Sequence, residues 1–175
     1  MKTLFLLRHA KSDYPDGVRD FDRPLNPRGR AAALAMGREF RRLGLAADHI
    51  LASTAARVVE TLALVSEGYG GRMPVDYREE LYLASPETLL GFIGRTDDAH
   101  RQLLVVGHYP GLQQLALQLG AAGAEHQAIT AKYPTGALTE TELPIDRWMD
   151  VGEPGQIVRF LRPRDLDGGS EADED

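Results

Sequence analysis

An open, mainly parallel α/β sheet covered by helices on both faces is the fold this sequence predicts. Three observations carry the prediction. Residues 3–7 and 103–106 are unbroken apolar runs of strand length, as expected of strands buried on both faces. Stretches with helical periodicity alternate with such runs. Gly- and Pro-rich segments mark the boundaries between them.

Taken in order, the first strand leads into residues 13–27, a loop rich in Asp, Pro, Gly and Arg and of functional length. Residues 28–43 place Ala32, Met36, Phe40 and Leu43 on one helical face, and Gly44 supplies a stop. Residues 49–52 form a second strand, and a helix over 54–66 ends near Gly68, Gly70 and Gly71. A short strand is expected at 75–77, and Pro86 opens a helix that runs to Ile93. The run 103–106 passes through Gly107-His108-Tyr109-Pro110 into a helix with Leu112, Leu115, Ala116 and Leu119 on one face. Residues 120–132 read as a loop. The last two strands, 137–143 and 156–161, pair as neighbours across the 144–155 connection, where Trp148 is a packing residue. The pattern shows no internal repeat, and one domain is expected over residues 1–166.

Charge sharpens this division. The chain carries 20 basic and 26 acidic residues, a formal charge of −6. Six of the acids (Asp165, Asp167, Glu171, Asp173, Glu174, Asp175) lie in the last eleven residues, which hold no Lys or Arg. The body is therefore balanced, and residues 167–175 are expected to be a disordered acidic tail with too little apolar surface to offset ordering entropy. A balanced body without a basic stripe argues against nucleic acid as a partner. There is no cysteine, which excludes disulfides, thiolate metal sites and a cysteine nucleophile. The amino-terminal apolar run stops at Arg8, too short for a signal-peptide core or a membrane span, so a cytoplasmic protein with no membrane association is expected.

The chemistry gathers at strand ends, where ligands bind in open parallel sheets. The first strand ends in Arg8-His9, the second in Ser53 with Arg57 a turn into its helix, and the fourth in Gly107-His108. Parallel strands would bring two imidazoles, two guanidiniums and a helix amino terminus to one rim, a combination suited to a phosphoryl group. A phosphoryl group in transition spreads charge over three equatorial oxygens. Arg8 and Arg57 can each present a planar fork to them. A neutral His9 would attack in line and form a phosphohistidine intermediate that water then hydrolyses. His108, protonated once the dianion is bound, would hold an oxygen. The scheme requires neither metal nor cofactor.

Several segments also resemble the histidine phosphatase superfamily, the phosphoglycerate mutase-like group. They are Leu7-Arg8-His9-Ala10-Lys11-Ser12, the segment from Leu51 to Thr61 with Arg57 in it, and Val105-Val106-Gly107-His108. Asp22-Arg23-Pro24-Leu25 with its continuation to Gly29, Tyr133-Pro134-Thr135-Gly136, and Arg162-Pro163-Arg164 are similar to the small SixA-type phosphohistidine phosphatases. The resemblance implies a three-layer α/β/α sandwich, with a mainly parallel central sheet and an antiparallel edge strand. It implies His9 as nucleophile, with Arg8, Arg57 and His108 completing the phosphate pocket and Arg23 as a further oxygen contact. Its substrate would be phosphohistidine on a phosphotransfer protein.

Two departures bear on mechanism. Larger relatives carry a Glu that protonates the leaving oxygen. Glu80 lies in about that region, but its surroundings do not match, and SixA-type proteins lack a clear acid. An imidazole leaving group tolerates that absence better than an alkoxide. Glu60 stands where many relatives have Gln, with orientation of an arginine as its expected role.

Other readings stay open at this stage. A small-molecule phosphomonoesterase would use Glu80 as general acid. A phosphate-binding module without turnover, or a metallo-phosphoesterase using His9, Asp13 and His108, are further alternatives. Arg23 can be read as an ordinary ion pair with Asp20 or Asp22, and Lys11 and Ser12 as turn residues. His49, His100 and His126 show no partner pattern.

Overall fold

The computed structural model describes residues 1–166, so the tail expected over 167–175 lies outside them. The elements run β1 (Lys2–Arg8), α1 (Pro27–Arg42), β2 (His49–Ser53), α2 (Ala56–Tyr69), β3 (Asp76–Arg78) and α3 (Pro86–Gly94). They continue with β4 (Gln102–Gly107), α4 (Gly111–Leu119), α5 (Ala124–Ala131), β5 (Leu138–Leu143) and β6 (Gln156–Leu161). The six strands form one sheet in the order β3-β2-β4-β1-β5-β6. β3, β2, β4 and β1 are parallel, whereas β5 runs against both β1 and β6, so the pairing at that edge is antiparallel.

Strand alternation builds two cores. Leu4 and Leu6 of β1 and Leu103 and Val105 of β4 face a core shared with α3, α4 and α5. Phe5, Leu7, Leu104 and Val106 face the opposite core, under α1 and α2. The sandwich therefore has three layers. Trp148 is fully buried in the first core, in the packing role expected of it.

Two local readings are corrected. Residues 124–131, expected to be loop, form α5, which buries Ile129 as its one fully covered side chain. So short and polar a helix leaves almost no periodic signal. The buried face of α1 runs through Gly29, Ala33, Met36, Gly37 and Phe40, so Ala33 takes the place expected of Ala32.

Gly29 explains part of the motif after Arg23. Asn26 caps α1 by accepting the N–H of Gly29 at 2.8 Å, while its own N–H donates to the Lys11 carbonyl at 3.0 Å. A Cβ at position 29 would lie 1.9 Å from that same Lys11 oxygen. Gly29→Ala is therefore expected to destabilise the fold by about 1–3 kcal/mol. It should also shift Lys11 and Ser12, which a thermal melt and an activity assay on the same sample would detect together.

Candidate active site

The carboxyl ends of β1, β2 and β4 are neighbours in the sheet, and they open into a cavity of about 380 Å³. Arg8, His9, Arg57 and His108 all line it, and so does Arg23. The sequence-predicted residues are thus brought together. Glu80 sits in an exposed 3-10 turn (Glu79–Leu81) and is not among the lining residues.

His9 is 5% exposed and its tautomer is fixed by its neighbours. Its Nδ1 lies 2.7 Å from the carbonyl of Ala10, which can only accept, so Nδ1 carries the proton. The Nε–H of Arg57 donates to Nε2 of His9 at 3.3 Å, which places the free lone pair on Nε2. The ring is aimed by backbone contacts. The N–H of Ala10 donates to Thr61 Oγ1 at 3.0 Å, and the same hydroxyl donates to the Arg57 carbonyl at 2.6 Å. Thr61 thereby ties the strand end that carries His9 to α2. The sequence places Thr61 in the motif that carries Arg57 but gives it no role.

Arg57, with its side chain 3% exposed, spreads its nitrogens over the whole site. Besides His9 it approaches His108 Nδ1 through one terminal nitrogen at 3.4 Å and donates to the Asp20 carbonyl through the other at 2.7 Å. Since Arg57 can only donate, Nδ1 of His108 accepts, and Nε2 of His108 donates to Ser53 Oγ at 2.8 Å. Arg8 donates to the Tyr133 carbonyl at 2.9 Å, and its buried Nε has no hydrogen-bond partner. Gly136 (φ +76°) donates its N–H to the carbonyls of both Arg8 and His9, at 3.1 and 2.9 Å. A Cβ there would also lie 2.8 Å from Pro163. The Tyr133–Gly136 and Arg162–Arg164 motifs therefore support the Arg8-His9 backbone from behind.

Asp20, offered by the sequence only as an ion-pair partner for Arg23, lines the cavity itself. Its carboxylate accepts from Arg57 at 3.1 Å, from Arg23 Nε at 3.0 Å, and from the hydroxyl of Tyr82 in a short contact. The Tyr82 hydrogen bond, with Arg57 and Arg23 assisting, lowers Asp20 to about 2, so it is ionised throughout the working range. Arg23 is at once the ion-pair partner of Asp20 and a cavity residue, and it also donates to Ser12 Oγ at 2.7 Å. Glu60 accepts the N–H of Leu25 at 2.8 Å, which ties α2 to the loop. Tyr14, Leu83 and Tyr109 form an exposed apolar rim.

Other histidines find simpler places. His49 and His100 stack on each other with centroids 4.7 Å apart, and His126 Nε2 lies 3.2 Å from the Leu117 carbonyl. Among the described residues, no group of three His, Cys, Asp or Glu side chains is placed to hold a metal ion. No helix among them is long and apolar enough to cross a membrane.

Burial, followed by the nearby His108, Arg57 and Arg8, pushes the protonation of His9 well below the usual imidazole range. Burial and Arg57 push His108 down to about 3. Both rings are then neutral in the fold at pH values where an unfolded histidine, near 6.5, is charged. The unfolded chain binds more protons there, so their contribution to stability is complete above about pH 6.5 and is lost progressively as pH falls toward 3. Melting temperature is expected to drop across that window, and His108→Gln should flatten the drop.

A model of the histidine phosphatase superfamily (branch 1) matches residues 4–82. An uncharacterized protein of Mycobacterium tuberculosis is 43% identical over 166 residues, spanning 90% of this chain and 100% of that protein. Among solved structures, the SixA protein from Agrobacterium tumefaciens superposes with a TM-score of 0.77 at 30% identity, covering 93% of this chain and 98% of that one. The SixA protein from Nakamurella multipartitia gives 0.74 at 29% identity, covering 92% and 95%. The relative and the two solved structures match 90–93% of the chain, and the family model matches its first half through Arg8, His9 and Arg57. The chain belongs to the histidine phosphatase superfamily, as a member of its SixA type.

Proposed function

We propose that this chain is a phosphatase acting through a phosphohistidine intermediate on His9, and that it hydrolyses phosphohistidine carried by a phosphotransfer protein. In this reading Arg8, Arg23 and Arg57 hold the phosphoryl oxygens, and His108, neutral in the ligand-free fold with its N–H on Ser53, joins them by taking up a proton as the dianion binds. Nε2 of His9 attacks phosphorus in line, forming a P–N bond as the bond to the leaving imidazole breaks. That imidazole departs neutral because its far nitrogen has already taken a proton from solvent. Water then attacks phosphorus, Nε2 of His9 leaves, and inorganic phosphate carries off the oxygen. The guanidiniums balance the charge on the equatorial oxygens, and no step is routed through a metal.

The observation that carries the substrate assignment is the state of Asp20. Among the described residues it is the one carboxylate lining the cavity, and it is held ionised by Tyr82 and two arginines. An ionised carboxylate has no proton to give. An alkyl phosphate, whose alkoxide leaves poorly without an acid, is then a worse substrate than a phosphoimidazole. The two SixA neighbours, described as candidate phosphohistidine phosphatases, support the same reading. The exposed rim of Tyr14, Leu83 and Tyr109 gives an apolar margin against which a protein-borne phosphohistidine can seat.

Turnover of a phosphohistidine peptide is expected to exceed that of an alkyl phosphate by roughly 10²-fold or more. Equal or faster turnover of the ester would overturn the substrate assignment while leaving the phosphatase class intact. Activity should survive strong chelation. A loss restored by a divalent cation would favour the metallo-phosphoesterase instead.

A further inference from the structure

The loop that carries Asp20 is anchored at its base and exposed at its tip. The N–H of Asp13 donates to the Pro24 carbonyl at 2.8 Å, and Ser12 pairs with Leu25. Between these anchors, the turn Asp20–Asp22 buries no residue. Asp20 itself is 52% exposed in its side chain, while the Arg57 side chain it contacts is 3% exposed and that of Arg23 11%. The carboxylate thus approaches the two guanidiniums from the solvent side. It offers them two oxygens, Oδ1 to Arg23 and Oδ2 to Arg57, in the way a phosphoryl group offers two of its oxygens. Tyr82 holds it there through its hydroxyl, which rests on Oδ2.

We infer that Asp20 is a placeholder for the phosphoryl group: it occupies Arg23 and Arg57 in the ligand-free protein, yields them to the incoming phosphoryl oxygens, and retakes them as inorganic phosphate leaves. The inference rests on the reading of this cavity as a phosphate site. Ligand-free, the carboxylate keeps two cations aligned that would otherwise repel each other, and it meets donors that would otherwise lack a partner. When a dianion arrives, Asp20 swings into water at little cost, because half of it is already there. After hydrolysis it competes with bound phosphate for the same guanidinium nitrogens. Asp20 therefore sets how tightly product is held. A purely structural staple would act in the opposite sense, because the arginines would lose their alignment without it.

Titration calorimetry with inorganic phosphate separates these cases. Asp20→Asn is expected to tighten phosphate binding by about three- to tenfold, the scale of a part-exposed, charge-assisted pair. Tyr82→Phe leaves the net charge unchanged and removes the hydroxyl that holds Asp20 in place. It should tighten binding in the same direction by about two- to threefold. Asp22→Asn deletes the same charge from the same turn, but its partner is the exposed Arg19, and it is expected to change phosphate affinity by less than about twofold. Weaker binding by Asp20→Asn would overturn the placeholder and establish the staple. Equal tightening by Asp20→Asn and Asp22→Asn, with Tyr82→Phe unchanged, would reduce the effect to net charge and also overturn it. Wild-type protein that binds no phosphate at millimolar concentration would overturn the phosphate-site reading itself, and the placeholder with it.

Discussion

His9→Asn is expected to lower turnover of a phosphohistidine substrate by on the order of 10⁴-fold or more, while leaving the fold and phosphate binding largely in place. The reason is geometric. The Ala10 carbonyl takes the proton-bearing Nδ1 at 2.7 Å, and the lone pair on Nε2, to which we assign the attack, is left facing Arg57 at 3.3 Å. An asparagine amide can accept the contact from Arg57 but cannot form a covalent phosphoryl intermediate. The three arginines and His108 would still hold the anion. A drop of kcat with little change in phosphate affinity is therefore the expected pattern. A fall in affinity alone would mean that His9 only binds.

The second large effect is expected from Arg57→Lys, with kcat lower by roughly 10²- to 10³-fold at unchanged net charge. Arg57 uses separate nitrogens for separate tasks: Nε on His9, one terminal nitrogen on Asp20 and His108, and the other on the Asp20 carbonyl. Lysine brings a single nitrogen and cannot make those contacts together. Losing the Nε contact also leaves Nε2 of His9 without that donor, while Nδ1 stays on the Ala10 carbonyl. Steady-state kinetics beside a thermal melt distinguish this from unfolding, and a lysine variant within about threefold of wild type would contradict the assigned role.

Much of this site was legible because strand ends in a parallel sheet converge. The continuous apolar run of β4 identified a strand buried on both faces, and that alone put His108 at a rim. Arg8-His9 and Arg57 follow from the same rule, once β1, β2 and β4 are seen to be adjacent. What could not be read was which loop residue turns inward. Residues 13–27 contain four aspartates and no periodicity, so nothing in the sequence distinguishes Asp20, which bridges two arginines, from Asp22, which meets the exposed Arg19. The same limit hid Tyr82 and the contact of Glu60, whose carboxylate meets a backbone N–H that only the folded loop presents. α5 went unread for a different reason: eight residues with one fully buried side chain give periodicity nothing to work on.

If phosphate passes through His9, the covalent intermediate can be trapped there. Wild-type protein mixed with phosphohistidine substrate, quenched in alkali to spare the acid-labile P–N bond, and mapped by peptide mass spectrometry should carry the phosphoryl group on His9, and His9→Asn should carry none. Turnover at the wild-type rate with no phosphoryl group on His9, or with the group on another residue, would rule out His9 as the nucleophile.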